Sequence, residues 1–220
     1  MATGATTPRV RDAERTRAEI IDVATHEFAD QGYAGARVDE IAAKTRTTKR
    51  MIYYYFGGKE GLYLAVLEQA YRHIRSLEQQ LDIDDLEPVE ALRQLAELTF
   101  DHHESHQDFV RLVAIENIHY AEHLRRSSSR EFLAAPALDV LTRIMSRGRS
   151  AGVFRDDLDA LDVHMVISAF CVFRGANRHT FQAIFDRDLL DPHSRAHLRK
   201  MIGDLVVAYL TTRPVPLKAP

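Results

Sequence analysis

The amino-acid sequence predicts an all-α protein, and three observations support this fold class. Apolar residues recur every three or four positions along most of the chain, as Ile20, Ala24 and Phe28 do, which is the spacing of one helix face. The alternating pattern that is typical of strands is nearly absent. Glycine, proline and hydroxyl-bearing residues stand where the periodic runs begin or end. We expect about nine helices.

Four helices are expected in the N-terminal part of the chain, at residues 11–30, 38–45, 48–56 and 59–81. Gly32 supplies the end of the first helix. The hydroxyl of Thr48 can cap the third helix by accepting hydrogen bonds from N–H groups of its first turn. Gly57 and Gly58 end that helix, and the fourth opens directly after them.

The acidic segment DIDDLEP, residues 82–88, is interpreted as a linker, with Pro88 suited to the first position of a helix. Later helices are expected at residues 89–106, 109–119, 132–147, 159–184 and 192–212. The proline-containing tail should be loose. The predicted organisation is a flexible arm at 1–10, a three-helix domain at 11–58 with a connecting helix at 59–81, a larger C-terminal helical domain at 82–212 and a loose tail at 213–220.

Composition restricts the class of protein. The chain has 220 residues and a net charge of −3, and its 45% hydrophobic and 28% charged residues are typical of a globular protein with a core. The single cysteine, Cys171, excludes an intrachain disulfide and fits a reducing cytoplasm. The N-terminal segment has no apolar leader, and the most apolar window, residues 163–173, is too short to span a bilayer. We therefore expect a cytoplasmic protein with no membrane partner.

Positive charge is concentrated in the segment KTRTTKRMIYYYFGGKEGL, residues 44–62. No acidic residue stands between Ile41 and Lys59, whereas that stretch holds five basic residues, Lys44, Arg46, Lys49, Arg50 and Lys59. The segment also has the layout of a helix-turn-helix, because a tight turn at residues 45–47 joins the second and third predicted helices. In this motif the later helix lies in the major groove of DNA.

The third predicted helix carries the side chains that DNA reading needs. Lys49 and Arg50 lie in its first turn, where long cationic donors can meet the O6 and N7 atoms of guanine. Thr47 and Thr48 can hydrogen-bond to phosphate, and Lys59 adds a cation at the start of the next helix. The alternative is a basic helix face that is simply solvated. We favour double-stranded DNA as the partner, because the acid-free basic stretch coincides with the helix-turn-helix layout.

The aromatic residues of this helix divide by position. Tyr53 and Tyr55 carry hydroxyls on stiff side chains that suit phosphate oxygens. Ile52 and Phe56 are four residues apart and are expected in the core. Tyr54 fits either role. Ordinary core packing is the alternative for the tyrosines.

Residues 28–62, FADQGYAGARVDEIAAKTRTTKRMIYYYFGGKEGL, resemble the DNA-binding domain of the TetR/AcrR family of transcriptional regulators. The family pattern is a helix ending F-x-x-x-G-[FY], a T-x-x-x-I-A helix, a reading helix ending in an aromatic-x-x-F, and K-x-x-L. The resemblance extends over roughly residues 15–66 and implies a homodimeric repressor that binds a small ligand in its C-terminal helical domain. Carried over residue by residue, the resemblance assigns the helix cap to Thr48 and the base-reading turn to Lys49 and Arg50. It assigns phosphate or base contacts to Tyr53 and Tyr55, and the contact with the DNA backbone to Lys59.

Three departures from the family pattern bear on DNA contact. Arg46 stands where a turn glycine is usual, so either the turn is strained or its geometry differs, and Arg46 can offer an additional phosphate contact. Ala36 and Arg37 replace a threonine pair, which removes a hydroxyl cap, although Arg37 can still contact phosphate by charge. Arg50 replaces a small residue and is expected to alter operator preference.

The start of the chain is also basic, with Arg9, Arg11, Arg15 and Arg17. Asp12 and Glu14 alternate with these arginines, so one interpretation is a solvated and partly paired surface. The other is a disordered arm that contacts the minor groove or the DNA backbone. Both interpretations stay open.

The C-terminal two-thirds of the sequence contain no glycine-rich phosphate loop, G-x-S-x-G or H-E-x-x-H motif, so we expect no enzyme and no cofactor. Cys171 is expected to be inert core. Five histidines attract attention, His102, His103, His106, His119 and His123. The four-residue spacing of His102 and His106 could hold a metal, but no cysteine joins them and Glu104 is not placed to complete the pair. We expect no metal, and partly exposed histidines of which one or two line a pocket.

In TetR-like proteins the effector pocket lies among the helices after the linker. Residues 109–120 and 170–181 combine apolar walls with a few polar groups, as a small-molecule site requires. The candidate residues are Asn117, His119, Phe170, Phe173, Arg174, Asn177 and Phe181. An inward Arg174 would favour a carboxylate effector; the alternative places the phenylalanines in the core and Arg174 and Arg178 at the surface. Within the family, FVRLVAIENIH at residues 109–119 resembles regulators of aromatic-acid or nicotinate catabolism.

The last two predicted helices, at residues 159–184 and 192–212, correspond to the pair that forms the homodimer in this family. An apolar stripe on the second suits such an interface but equally suits monomer core, and it consists of Leu198, Ile202, Leu205, Val206 and Tyr209. A twofold dimer implies a palindromic operator. The expected function is a transcriptional repressor released from its operator by a small-molecule effector. Two alternatives stay open, a family member controlled by a protein partner without an inducer, and an all-α small-molecule- or metal-binding protein or enzyme.

Overall fold

A computed structural model describes residues 8–127 and 130–212, with the side chains of residues 8–11 and 130–137 excepted. This part of the chain is helical throughout its regular structure, which confirms the predicted all-α class. Its eleven helices are α1 (Pro8–Gly35), α2 (Val38–Lys44), α3 (Lys49–Phe56), α4 (Lys59–Gln79), α5 (Pro88–Ser105), α6 (Gln107–Ile118), α7 (Glu122–Arg126), α8 (Arg130–Ser150), α9 (Ala160–Ala176), α10 (Arg178–Phe185) and α11 (Pro192–Thr211).

The chain forms two compact units, and α4 and α6 each contribute to both. The first unit comprises residues 8–70 and 111–127, and the second comprises residues 71–110 and 130–212. The unit boundary therefore crosses α4 after Ala70, whereas the predicted domain boundary followed the end of that helix. The limits predicted for the DNA-binding domain, 11–58, and for the C-terminal domain, 82–212, stay predictions.

Each unit has its own hydrophobic core. In the first unit, α1 packs against α2 and α2 against α3, and the predicted stripe of Ile20, Ala24 and Phe28 is fully buried with Ile52 of α3. In the second unit, α5 packs against α8, α9 and α11. The core there gathers the apolar faces of these helices around Phe100, which is fully buried. Burial of such faces is the main source of helix stability, since isolated helices of this length are marginal in water.

Several helix ends follow from local chemistry that the sequence displays. The Thr48 hydroxyl accepts a hydrogen bond from the Met51 N–H at 3.3 Å, so the predicted cap of α3 is confirmed. Gly57 ends α3 with a φ of 75°, a left-handed conformation that glycine adopts without steric cost. Pro88 lies in the first turn of α5, as predicted. Gly32 breaks the helical conformation inside α1 with a φ of 67°, and the helix resumes to Gly35.

Two predictions about helices are wrong. The single helix expected at residues 159–184 is two helices, α9 and α10, which meet at Asn177. The short α7 was not expected at all, and it follows Ala121, whose φ of 55° turns the chain sharply.

The two ends of the chain are described only in part. Residues 8–10, expected in a flexible arm, belong to α1. Residues 1–7 and the predicted loose tail at 213–220 lie outside the described residues. Within the described part of the chain, no helix combines the length and the apolar character needed to cross a bilayer.

Candidate DNA interface and effector site

The turn between α2 and α3 is closed by backbone hydrogen bonds. The Thr45 N–H donates to the Ile41 carbonyl at 3.0 Å, and the Thr47 N–H donates to the Ala42 carbonyl at 3.1 Å. Between them Arg46 has a φ of 52°. The turn thus takes a left-handed conformation with an arginine at the position where the family has glycine, at a cost of about 1 kcal/mol for a residue with a Cβ. Its side chain is exposed.

The first turn of α3 presents two cations with different surroundings. Lys49 and Arg50 are both exposed. The Lys49 ammonium lies 3.1 Å from a carboxylate oxygen of Asp39 on α2. Among the described residues Arg50 has no ion-pair partner. Sequence reasoning missed Asp39, because this carboxylate lies outside the acid-free stretch and reaches α3 only through the helix-turn-helix packing.

The aromatic residues of α3 divide differently from the prediction. Ile52 is fully buried, and Phe56 packs against the core of the first unit as expected. Tyr55 also packs against that core. The exposed pair is Tyr53, 48% accessible, and Tyr54, 78% accessible. A phosphate contact from Tyr55 therefore depends on its hydroxyl alone and stays a prediction, while Tyr54 gains the more favourable position.

Lys59 at the start of α4 is held by the end of α1. Its ammonium donates to the Ala34 carbonyl at 3.2 Å and lies 4.9 Å from the centre of the Tyr33 ring. Burial lowers the pKa of this ammonium from its usual range. One of its three N–H donors is engaged, so the other donors remain for the phosphate contact that the resemblance implies.

The remaining predicted DNA residues lie at the edges of the same motif. Arg37 is exposed at the N-cap of α2, which has no side-chain cap, so the expected loss of a hydroxyl cap is confirmed. Thr47 is half-buried in the turn. On α1, Arg15 is paired with Asp12 at 3.2 Å, which favours the paired-surface interpretation for this residue, and Arg17 lies 5.2 Å over the Phe56 ring. The side chains of Arg9 and Arg11 are outside the described residues.

A buried acid–histidine pair lies in the first unit. The Glu116 carboxylate binds His123 Nδ1 at 2.9 Å and accepts from the Leu124 N–H at 3.2 Å. Both side chains are buried, so the expectation of a partly exposed His123 is wrong. The hydroxyl of Tyr63 is buried nearby, and its pKa is raised by burial and then by the charge of Glu116. Because water does not replace a lost partner in a buried site, the Glu116 carboxylate depends on its hydrogen bonds to His123 and to the Leu124 N–H.

The effector candidates fall into both units. In the second unit a cavity of about 430 Å³ contains four of them, Phe170, Phe173, Arg174 and Phe181. Asn177 ends α9 and does not line this cavity. In the first unit Asn117 is exposed and donates to the Val113 carbonyl at 2.9 Å. His119 lines a separate cavity of about 180 Å³ beside His123.

Arg174 is inward, so the alternative that placed it at the surface is wrong. It is 3% accessible, and its guanidinium lies 3.9 Å from the centre of the Phe100 ring. It donates to Glu104 at 2.9 Å and to the Leu189 carbonyl at 3.0 Å. The carboxylate expected from an effector is therefore supplied by the chain itself. Arg178 is partly exposed and pairs with Asp188 at 2.7 Å.

Histidines form a second buried group, in the second unit. His102 and His103 are 3% and 5% accessible, so they too are not partly exposed as expected. Burial is the main cause that lowers the pKa of His102 to about 3 and that of His103 to about 4. His103 Nδ1 is 2.7 Å from the Thr99 carbonyl. His73 of α4, which the sequence did not single out, joins His102 and His106.

The predicted dimer stripe on α11 divides in two. Leu198, Ile202 and Val206 are buried in the core of the second unit, as the monomer-core alternative expected. Leu205 and Tyr209 are 43% and 40% accessible. Four further apolar side chains of α9 and α11 are exposed, Leu161, Met165, Phe173 and Met201.

A helix-turn-helix with an exposed basic reading helix, carried by a chain whose second unit is a larger helical body, defines a DNA-binding regulator of transcription. Residues 20–66 match the family of bacterial regulatory proteins of the tetR family, and residues 88–206 match the tetracyclin repressor-like C-terminal domain. The chain therefore belongs to the TetR family of transcriptional regulators, which are not enzymes.

Relatives extend the likeness over nearly the whole chain. The transcriptional repressor NicS of Pseudomonas putida is 36% identical over 94% of this chain and 98% of its own length. The repressor SCO4008 of Streptomyces coelicolor is 33% identical over 72% of this chain and 78% of its own. Among solved structures, the regulator SCO4942 of Streptomyces coelicolor matches this chain with a TM-score of 0.64 at 28% sequence identity. The match covers 86% of this chain and 97% of the SCO4942 chain.

Proposed function

We propose that this protein is a repressor whose homodimer binds a palindromic operator and is released by a small-molecule effector. The observation that carries the proposal is the exposed first turn of α3, where Arg50 has no ion-pair partner among the described residues and Lys49 lies beside it. Long cationic donors at this position of a helix-turn-helix suit guanine edges in the major groove. The names of NicS and SCO4008, both repressors, support the sign of the regulation.

The homodimer is supported by the exposed apolar side chains of α9 and α11. Globular surfaces rarely gather large apolar residues without a partner. Leu161 and Met165 lie on α9, and Met201, Leu205 and Tyr209 lie on α11. A second copy packed on this face buries them through a four-helix arrangement. Its twofold symmetry gives the operator two equivalent half-sites.

The effector site proposed here is the cavity of about 430 Å³ in the second unit, a size in the range of small-molecule sites. Its walls are mainly apolar, with Phe170, Phe173, Phe181 and Met201 among them. Arg174 is committed to Glu104, so His197 and Arg187 are the polar groups left to orient a ligand. We therefore propose an apolar or aromatic effector in which any acidic group is directed to Arg187 and not to Arg174.

The DNA-reading role of α3 is tested by replacing its cations. The double variant Lys49→Ala with Arg50→Ala is measured against Lys59→Ala by fluorescence anisotropy, on operator and on scrambled duplexes over a range of salt. The double variant should lose roughly 10- to 100-fold of its preference for the operator. Lys59→Ala should weaken binding to both duplexes and lower the salt slope by about one.

The matched control for charge is Arg125→Ala, an exposed arginine of the first unit that lies outside the helix-turn-helix. It should leave the ratio of operator to scrambled affinity unchanged. Equal losses on both duplexes in the double variant and in Lys59→Ala would contradict the division between base reading and backbone binding.

Effector release is tested with metabolites that raise the thermal midpoint of the protein. A ligand of the cavity should lower operator affinity when saturating, and Phe173→Ala should weaken its binding. A metabolite that saturates the cavity and leaves operator affinity unchanged would contradict the proposed release.

A further inference from the structure

Three histidines of the second unit bring their imidazoles together. His73 comes from the C-terminal half of α4, His102 from the last turn of α5, and His106 from the residue that caps α5. One ring nitrogen of each lies within 4.8 Å of the other two. The rings of His102 and His106 stack with their centroids 4.4 Å apart, and that of His73 is 4.7 Å from His106.

The hydrogen bonds of these rings leave nitrogens available. His102 is buried, and its Nδ1 finds no hydrogen-bond partner, an arrangement that costs free energy unless something else binds there. His106 Nδ1 lies 3.0 Å from the His102 carbonyl, which can only accept. It also lies 2.9 Å from the Ser105 hydroxyl, which donates its own hydrogen to the Asp101 carbonyl at 2.8 Å. His106 therefore donates from Nδ1, and its Nε2 carries the lone pair. A backbone carbonyl that fixes the tautomer in this way is the usual support of a metal-binding histidine.

We propose that His73, His102 and His106 form a binding site for a divalent first-row transition metal, with zinc as its reference ion. Imidazole is a ligand of zinc, copper and nickel, whereas magnesium and calcium prefer oxygen ligands. The group of three contains no carboxylate. Three protein ligands leave a coordination position for water or for a donor atom of a small molecule.

The geometry requires a modest closure on binding. Zinc–nitrogen bonds of about 2.0–2.1 Å place two ligand nitrogens about 3.4 Å apart in tetrahedral geometry. The nitrogens, now within 4.8 Å, approach further by rotation of His73 and His106, the two rings that lie closer to solvent than His102. His102 is fixed by the core and sets the position of the ion.

The charge near the site permits a cation. Arg75 lies two residues after His73 on α4, and its guanidinium pairs with the buried Glu78 at 2.5 Å, so a carboxylate offsets the arginine charge. His103 Nδ1 is engaged by the Thr99 carbonyl, and His103 is not one of the three ligands. Metal at this site joins α4 to α5 within the second unit.

The test uses the full chain without a histidine tag, stripped with a chelator that is then removed. Zinc is titrated in competition with a chromophoric chelator, and cobalt is titrated by its visible absorption, which reports nitrogen ligation. The wild type should bind one ion per chain, with a raised thermal midpoint. His73→Gln and His106→Gln should each weaken zinc binding by roughly 100-fold or more. Both replace rings near the surface, so the fold is kept, which circular dichroism checks.

The matched control is His193→Gln, an exposed histidine of α11, which should bind zinc as the wild type does. Absence of stoichiometric binding in the wild type would overturn the proposal. So would an affinity in His73→Gln and His106→Gln equal to that of the control. Operator binding is measured on the same preparations, so a failed metal site is distinguished from a failed regulator. If zinc does not bind while operator binding is intact, only the metal site is overturned.

Discussion

The two compact units contain buried histidines in opposite chemical settings. In the first unit His123 is held by the carboxylate of Glu116, whose second oxygen accepts from the Leu124 N–H. In the second unit His102 faces other imidazoles, and its Nδ1 is buried without a hydrogen-bond partner. The first arrangement is complete without any other molecule. The second leaves a buried nitrogen without a hydrogen-bond partner, and this is the observation from which the metal site is proposed.

The largest effect in this comparison is expected at Glu116. Glu116→Ala removes the partner of His123 and leaves the Leu124 N–H unpaired in the first unit, so the loss of two buried hydrogen bonds should lower the free energy of unfolding by about 2–4 kcal/mol. Urea denaturation measures the loss. Glu122→Ala is the control, because Glu122 is an exposed carboxylate of α7 paired with Arg126, and it should cost less than about 1 kcal/mol. Equal losses in the two variants would show that the buried pair of Glu116 and His123 stabilises the first unit no more than an exposed ion pair does.

A smaller effect is expected from acid in the second unit. Burial lowers the pKa of His102 to about 3, against 6.5 for an ordinary histidine. Between these values the unfolded chain binds the proton and the folded chain does not, so stability is full above pH 6.5 and falls as the pH drops. At pH 5 the loss from this one residue is about 2 kcal/mol.

The measurement is the free energy of unfolding at pH 7 and pH 5, with chelator present. His102→Phe removes the titrating group, so the difference between the two pH values should shrink by about 2 kcal/mol. His193→Gln should leave the difference unchanged, because His193 is exposed. An unchanged difference in His102→Phe would mean that the buried ring does not resist protonation.

In the first unit the backbone at Arg46 is strained, because a residue with a Cβ adopts a left-handed conformation there. Arg46→Gly relieves the left-handed conformation at a φ of 52° and should raise the free energy of unfolding by about 1 kcal/mol. Ala43→Gly, at an exposed position of α2 with ordinary helical geometry, should lower it by roughly 0.5–1 kcal/mol. Thermal or urea unfolding compares them. The two substitutions should change the free energy of unfolding in opposite directions. A change in the same direction for both would rule out backbone strain at Arg46.

The smallest effect is expected at Cys171, a buried titratable group of the second unit that lies outside the histidine group. Burial is the main cause that raises the pKa of this thiol to about 12. The folded protein should therefore react very slowly with a thiol reagent even at pH 9, where an ordinary cysteine is largely ionised. Reaction should become fast in denaturant. Fast reaction of the native protein would show that burial protects this group less than it protects His102.

The sequence predicts the helix-turn-helix well, because its determinants are local. The cap at Thr48, the end at Gly57 and the burial of Ile52 each depend on residues within one or two helical turns. The break between α9 and α10 was missed for the opposite reason. Gly175 and Asn177 stand at the break, but the apolar pattern continues across them from Phe173 to Phe181, and it favoured one helix.

The site features that the sequence did not predict are contacts between separate helices. His73 stands far from His102 along the chain, so no spacing pattern joins them, and the two histidine groups could not be told apart without the partners that Glu116 and Thr99 provide. The burial of Arg174 was undecided for the same reason, since Glu104 compensates its charge from another helix. A local pattern shows which residues can do chemistry, and only packing shows which of them are already engaged.

The ion pair between Lys49 and Asp39 bears on how the protein searches for its operator. DNA that approaches the first turn of α3 must compete with Asp39 for the Lys49 ammonium, which lies 3.1 Å from the Asp39 carboxylate. A phosphate of random sequence gains little from this exchange, because one anion replaces another. A guanine edge offers directed acceptors instead of a competing charge. In the proposed interface Asp39 therefore shortens residence on random sequence more than on the operator, and so speeds the passage from one stretch of chromosome to the next.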